Sequence, residues 1–561
     1  MTRPLRDHPP RDQSADGFTN RLQAYVLSHF PWLWKIVMAI GPLRRLVNTY
    51  IINSAVMRAR SRPSPYSSMA VHGDVDKPMA GYTSWESMTD RDWFKRHLPQ
   101  KDLKDLPPLE DLRELYEVKE GEETLSEDSS VLFLSFAQWF TDGFLMTSSD
   151  DFVEVDGKRI YQNRKTHTSH HIDFNTLYGL NRAHSDAIRL KLEETGRKGR
   201  LKSETDPDTG EEYAPRYFGA NGKVKPAFKD LLPPLRLKEF LETVERNEGK
   251  ERADAIRQHI FAFAGERANT TPYTAMLTTL FLREHNRLCG ILEKAHPSWD
   301  DERVFQTARN INIALLIKIV VEEYINHISP YYFQLSADPS VCWKAEWNKP
   351  NWIPIEFNLL YRWHSLTPDY FKVAGKSVAG EQFIYDNSHL TGIGLGKAME
   401  SASQQKAWNI GLMNTPDFLV SVELASVQQG RANHLASYND YREAFGYGRV
   451  KTFEQITGDP RRIKALSRLY KDSVDNVELF VGLFAEDVAP RSAVPPLIGR
   501  MVALDAFSQA LTNPLLSQHA FNAGTFSQEG MKVIESTSRL QQILDRNQPQ
   551  AAGTYKVTMT I

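Results

Sequence analysis

Cysteine is almost missing from this sequence. Cys289 and Cys342 are the only two in 561 residues, so neither a disulfide framework nor a cysteine-based metal cluster is available. So few thiols fit a reducing interior better than an oxidising one. An excess of one charge is missing too. The 68 Lys and Arg against 70 Asp and Glu leave a net −2, with no basic surplus to hold nucleic acid. There is no internal repeat. Residues 1–20 are polar and lack the apolar core and small-residue cleavage site of a signal peptide, which predicts a disordered start and a cytoplasmic location. What is present is core-forming material: 41% hydrophobic and 11% aromatic residues, enough for one large helical enzyme or several average domains.

The stretch from Leu22 to Ile52 is the most lipophilic. It holds Trp32, Leu33, Trp34, Ile36 and Val37, interrupted by Lys35, Arg44 and Arg45 and broken into two short helices at Gly41-Pro42. No apolar run in it reaches the roughly 18 residues needed to cross a bilayer. Tryptophan and leucine interspersed with cations is the composition of helices lying in a membrane interface, at its periphery. A helix pair packed on the main body, or a dimer contact, has the same composition.

The most informative run is Glu356 to Pro368, Glu-Phe-Asn-Leu-Leu-Tyr-Arg-Trp-His-Ser-Leu-Thr-Pro. It reads as a helix with Tyr361 and His364 three apart on one face. Imidazole is a common ligand of haem iron, and a phenol one turn away is placed to give that haem an electron. An isolated Tyr-x-x-His is more often a core helix with a satisfied histidine. Here the run resembles the proximal-histidine helix of the cyclooxygenase and fatty-acid dioxygenase branch of the animal-type haem peroxidase superfamily. The resemblance implies a haem cofactor, His364 as the proximal iron ligand, and Tyr361 as the tyrosine whose radical takes a hydrogen atom from a fatty acyl chain.

Other segments carry the same resemblance over roughly residues 58–530. Leu282 to Leu288, Leu-Arg-Glu-His-Asn-Arg-Leu, matches a superfamily signature in which His285 is structural. Arg267 stands 16 residues before Arg283, the spacing of the distal haem arginine in animal peroxidases and plant-type α-dioxygenases; a cation there would polarise a peroxide O–O bond. The apolar run from Val131 to Thr147 is similar to the distal helix. Gln138 fits its glutamine, but Asp142 stands where the distal histidine is expected. A carboxylate in a dry pocket has a raised pKa and a geometry unlike imidazole. Asp142 is therefore either a poorer peroxide-cleaving base or a polar lining residue.

Arg58, five residues before Pro63, falls where cyclooxygenases hold the arginine that binds the substrate carboxylate. Tyr331, 30 residues before Tyr361, falls at their constriction tyrosine. The basic flank of a membrane helix and simple packing are the plainer readings of these two. Arg431 is the candidate contact for a haem propionate. The asparagine that many peroxidases place on the proximal imidazole falls at Ser426, a weaker acceptor that would leave His364 less basic. Ser169, Asp173 and Asn175 offer oxygens in a loop that ligates calcium in several members, but the usual further carboxylate falls at Gly143. The adjacent His170 and His171 lack zinc-site spacing.

The expected fold is mainly α, one haem peroxidase catalytic domain over 63–561 behind amphipathic helices in 21–62. The expected activity is that of a haem-dependent fatty-acid dioxygenase using O2 after activation by peroxide, as a monotopic and dimeric protein. Two alternatives stand beside it. One is a peroxidase of small aromatic amines or phenols; the other is a non-catalytic haem-binding or membrane-associated protein.

Overall fold

A computed structural model of the chain describes residues 10–57, 66–67, 93–155, 158–207, 209–349 and 351–561. Arg58 lies outside them. Two long consecutive helices, Pro272–Ala295 and Asp301–Ile319, pack against each other as the spine. Their ends are written locally. Thr271 and Thr274 form a capping box with Pro272 in the first turn, and the Asp300 side chain accepts the Arg303 N–H of the second helix. The region Asp301–Ile328 is long and apolar enough to cross a membrane, but 78% of its apolar window is buried. It is an interior helix, apolar on nearly every side because protein surrounds it. Its last turns, Val320–Ile325, widen into a π-helix, a distortion frequent at functional sites.

The Val131–Thr141 helix lies against the Pro272–Ala295 helix, where Trp139 Nε1 donates to Thr278 Oγ1 at 2.9 Å. Strands are few and short. Among the described residues they form five two-stranded antiparallel ribbons. One of these pairs Leu125–Ser130 with Lys406–Trp408 and so fixes where the Val131–Thr141 helix begins. The expected mainly helical architecture is what the chain forms.

Both ends of the chain are better held than their composition suggests. The expected disorder of residues 1–20 fails from residue 10 onward. Arg11 Nη2 meets Asp16 at 2.6 Å, and Asp16 also receives Arg442 Nη2 at 2.7 Å. The Arg442 side chain is fully buried and pairs with buried Glu486 at 2.9 Å as well. Removing one partner of such a pair leaves an uncompensated interior charge, typically a loss of about 3–5 kcal/mol. A polar segment orders when its charges complete a buried network. The tail after Gln548 is also tied down. Ser130 N donates to Met559 O and Ile561 N to Asp128 O, each at 2.9 Å, and Met559 is buried.

Three helices precede the body: α1 (Phe18–Ser28), α2 (Pro31–Ala39) and α3 (Gly41–Met57). They are anchored on the inside. Asn48 bonds both polar groups of the Ser336 backbone at 3.0–3.1 Å, and Trp347 Nε1 donates to Asn53 Oδ1 at 2.8 Å. Outside they are apolar. Ten of the fifteen large hydrophobic residues exposed among the described ones lie between Phe18 and Tyr50, including Phe18 at 74%, Leu46 at 68% and Trp32 at 62%. A contiguous patch of this kind marks an interaction surface.

Candidate active site

The Tyr361–His364 segment is mounted on a short buried helix, Ile355–Leu360. Glu356 holds that helix in place, its Oε1 accepting the His97 N–H at 2.9 Å and the Tyr441 hydroxyl at 2.7 Å. Asn358 Nδ2 donates to the Leu145 carbonyl. The expected single helix through His364 does not form. It ends at Leu360; Tyr361 (φ −99°, ψ 15°) and Trp363 (φ −91°, ψ 48°) leave the helical region, and His364–Leu366 is a separate 3-10 turn. Long-range bonds outweigh local periodicity here. Arg362 Nη2 is drawn to Asn358 Oδ1 at 2.8 Å and to Gln429 Oε1 at 3.0 Å, and Ser365 Oγ accepts the Gly411 N–H at 3.1 Å. Tyr361 and His364 are therefore placed by a turn, not by a shared helix face.

Tyr361 is packed between Trp363 and Phe357, with ring centroids 4.9 Å and 5.1 Å away. Burial pushes its phenol well above the ordinary value, and the facing hydroxyl of Tyr324 pulls it back in part. Neither hydroxyl has a further polar partner among the described residues. Tyr324 comes from the π-helical turn, and its own phenol is raised by burial as well. The result is a protonated phenol, shielded from water, with another phenol as its polar neighbour.

His364 keeps 23% of its side chain exposed. Its Nδ1 lies 3.1 Å from Glu423 Oε2, and no hydrogen bond holds its Nε2 among the described residues. Ser426, the expected neighbour of this ring, is corrected to Glu423. The two lie on the Asp417–Ala432 helix three residues apart, but Ser426 Oγ bonds back to its own helix at Val422 O, 2.9 Å away. Its hydroxyl is thus spent locally.

Of the residues expected on the distal side, Asp142 and Arg267 meet. The Val131–Thr141 helix is capped by Asp142, whose N–H reaches Gln138 O at 2.9 Å, and Gln138 is half-buried one turn before it. Arg267 Nη1 donates to Asp142 Oδ1 at 2.9 Å. The segment bearing Arg267 packs tightly on the Asn175–Tyr178 turn because residue 265 is glycine: a Cβ there would lie 2.6 Å from Thr176 Cα. Burial raises the Asp142 pKa, and the Arg267 charge opposes that rise. Arg362 joins the distal and proximal sides. Burial and then the repulsion of Arg267 lower its pKa to about 10, against the attraction of Glu423 and Asp142.

The other expected residues stand apart. Arg431 is bound to Glu478 at 2.6 Å and to Pro107 O at 2.9 Å, in a cleft of about 130 Å³ with Lys101 and His434. Tyr331 is half-buried below α1, within electrostatic reach of Tyr447. In the expected calcium loop the donors satisfy one another. Asp173 accepts from Ser169 Oγ at 2.8 Å and Asn175 Nδ2 at 3.0 Å, and Asn175 also reaches Gly143 O. His170 Nδ1 accepts the Ile353 N–H at 3.0 Å, and His285 bridges Tyr178 and Gly199 at 2.8–2.9 Å, so both serve the scaffold.

Sequence reasoning missed Glu423, Arg362 and Tyr324. Glu423 carried a signal: an acid among Leu419, Val420, Val422 and Leu424. The residues gathered here fit a haem. A histidine offers an unbonded ring nitrogen and has a carboxylate behind it. Two guanidiniums close enough to repel each other, with Arg267 Nε unpartnered, suit an anionic group between them.

Fold and site together define a helical oxidoreductase of the haem type. The Animal haem peroxidase family model matches residues 145–559, and the chain belongs to that family. Prostaglandin G/H synthase 2 of Equus caballus is 31% identical over 93% of this chain and 80% of its own length. Prostaglandin G/H synthase 1 of Mus musculus is 30% identical over 92% and 79%. Among solved structures, the fatty acid alpha-dioxygenase of Oryza sativa superposes with a TM-score of 0.68 at 16% identity, covering 98% of this chain and 99% of that one. That of Arabidopsis thaliana gives 0.66 at 16% identity, covering 96% of each. At such identities the structures speak for the fold alone. The family match begins after Gln138 and Asp142, so the distal pair rests on the geometry above and not on that match.

Proposed function

We propose that the protein is a haem-dependent fatty-acid dioxygenase in which Tyr361 is the hydrogen-abstracting residue. The carrying observation is the Tyr361 phenol: the side chain is partly buried, but its hydroxyl is out of water, held protonated and faces the Tyr324 hydroxyl alone among the described residues. The haem, when bound through His364, supplies one-electron oxidising power after reaction with peroxide. Tyr361 then loses one electron and one proton. The resulting phenoxyl takes a hydrogen atom from an unsaturated acyl chain and returns to phenol; O2 adds to the carbon radical to give a peroxyl radical, which takes a hydrogen atom back from the Tyr361 phenol to leave a hydroperoxide and restore the phenoxyl. Arg58 and Tyr331 are the proposed holders of the carboxylate end. The hemin-loaded protein is expected to consume O2 when given an unsaturated fatty acid, read on an oxygen electrode. The partly exposed Arg267, at 30%, favours a second reading, in which small phenols or aromatic amines are oxidised at the haem edge. Turnover of such reductants with no fatty-acid-dependent O2 uptake would select it.

The outer faces of α1–α3 are proposed to lie on a membrane as monotopic helices. Flotation with phospholipid vesicles should recover the wild type and lose most of a Trp32→Glu/Leu46→Glu variant. Equal recovery of the two would point instead to a contact between copies of the chain.

A further inference from the structure

We propose that Glu423 is the positioning residue of the proximal side: it accepts the Nδ1–H of His364 and lends carboxylate charge to the ring nitrogen turned toward the iron. The inference rests on the reading of His364 as the haem ligand and names what tunes that ligand. Glu423 is 1% exposed on the Asp417–Ala432 helix. Its Oε1 is pinned by the Thr415 hydroxyl at 3.1 Å. Its Oε2 lies 3.1 Å from His364 Nδ1. These two atoms are buried, and neither has a hydrogen-bond partner elsewhere. The approach is short but bent. Two orphaned polar atoms at bonding distance, in a place where an unmade bond is costly, have every reason to pair. A carboxylate there also decides the tautomer. The proton sits on Nδ1, and Nε2 presents its lone pair. A bond to a charged acceptor makes the ring a stronger electron donor than a bond to a hydroxyl or an amide would. Arg362, held by Asn358 and Gln429, brings its guanidinium within electrostatic reach of Glu423.

The test uses hemin-loaded full-length protein and two readouts, the iron–histidine stretching band of the ferrous form by resonance Raman and the ferric/ferrous midpoint potential. The wild type should show the band, and His364→Gly should lose it. Glu423→Gln should shift the band to lower frequency and raise the midpoint potential. Glu423→Asp and Thr415→Val should shift both in the same direction by less, and they serve if the glutamine variant folds poorly. A band that is lost in His364→Gly but unmoved in all three other variants, with an unchanged potential, overturns the role of Glu423 and leaves His364 as ligand. A band that persists in His364→Gly overturns both.

Discussion

Replacing Tyr361 by phenylalanine should abolish fatty-acid-dependent O2 uptake, a loss of at least about 10³-fold, or about 4 kcal/mol of barrier. The same variant should still bind hemin and oxidise small aromatic reductants with peroxide. The substitution removes one oxygen and little else. Phenylalanine keeps the ring between Trp363 and Phe357, and the hydroxyl it deletes has no partner but the facing Tyr324. Deleting a poorly satisfied buried hydroxyl costs little stability. The variant should therefore unfold at a denaturant concentration close to that of the wild type, and the loss of uptake would be chemical. No other phenol replaces it, because Tyr324 takes its polar contact from Tyr361 and its ring is pressed against Phe133 at 5.4 Å. Fatty-acid oxygenation at the wild-type rate in the variant would end the radical reading.

The parts of the site legible in the sequence were those carried by unusual residue strings. The Tyr-Arg-Trp-His run put Tyr361 and His364 forward as candidates, and the spacing from Arg283 put Arg267 forward, which meets Asp142 in the structure. What escaped was set by contacts between segments remote in the chain. The proximal helix stops early because Arg362 and Ser365 bond to the Gln429 and Gly411 regions. Ser426 and Glu423 share a helix, and only the seating of that helix decides which of them faces His364. Arg431, expected at a haem propionate, is paired with Glu478, 47 residues away, a contact that its own stretch of sequence does not announce. Residues 10–17 looked disordered because their partner, Arg442, lies more than 400 residues downstream. Local periodicity carries none of these pairings.

Replacing Asp142 by histidine should speed the reaction of the hemin-loaded protein with hydrogen peroxide by about 10²-fold or more, the usual worth of a well-placed general base. Stopped-flow observation of the Soret band would measure it. In the wild type the carboxylate does two jobs that oppose each other. It is the candidate acceptor of the peroxide proton, yet it is bonded to Arg267 at 2.9 Å. That bond stabilises the ionised form and lowers its appetite for a proton, and it occupies the cation that would stabilise the leaving oxygen. A neutral imidazole releases Arg267 and keeps a lone pair for the proton. The pH profiles should part in a set direction. Burial places the Asp142 pKa above that of an exposed aspartate, so the wild-type rate should fall as pH drops through that raised value and the base becomes protonated. The histidine variant should lose its rate at higher pH, nearer the ordinary imidazole range of about 6.5. Unchanged speed and an unchanged profile would mean that Asp142 exists to hold Arg267 in place and takes no part in proton transfer.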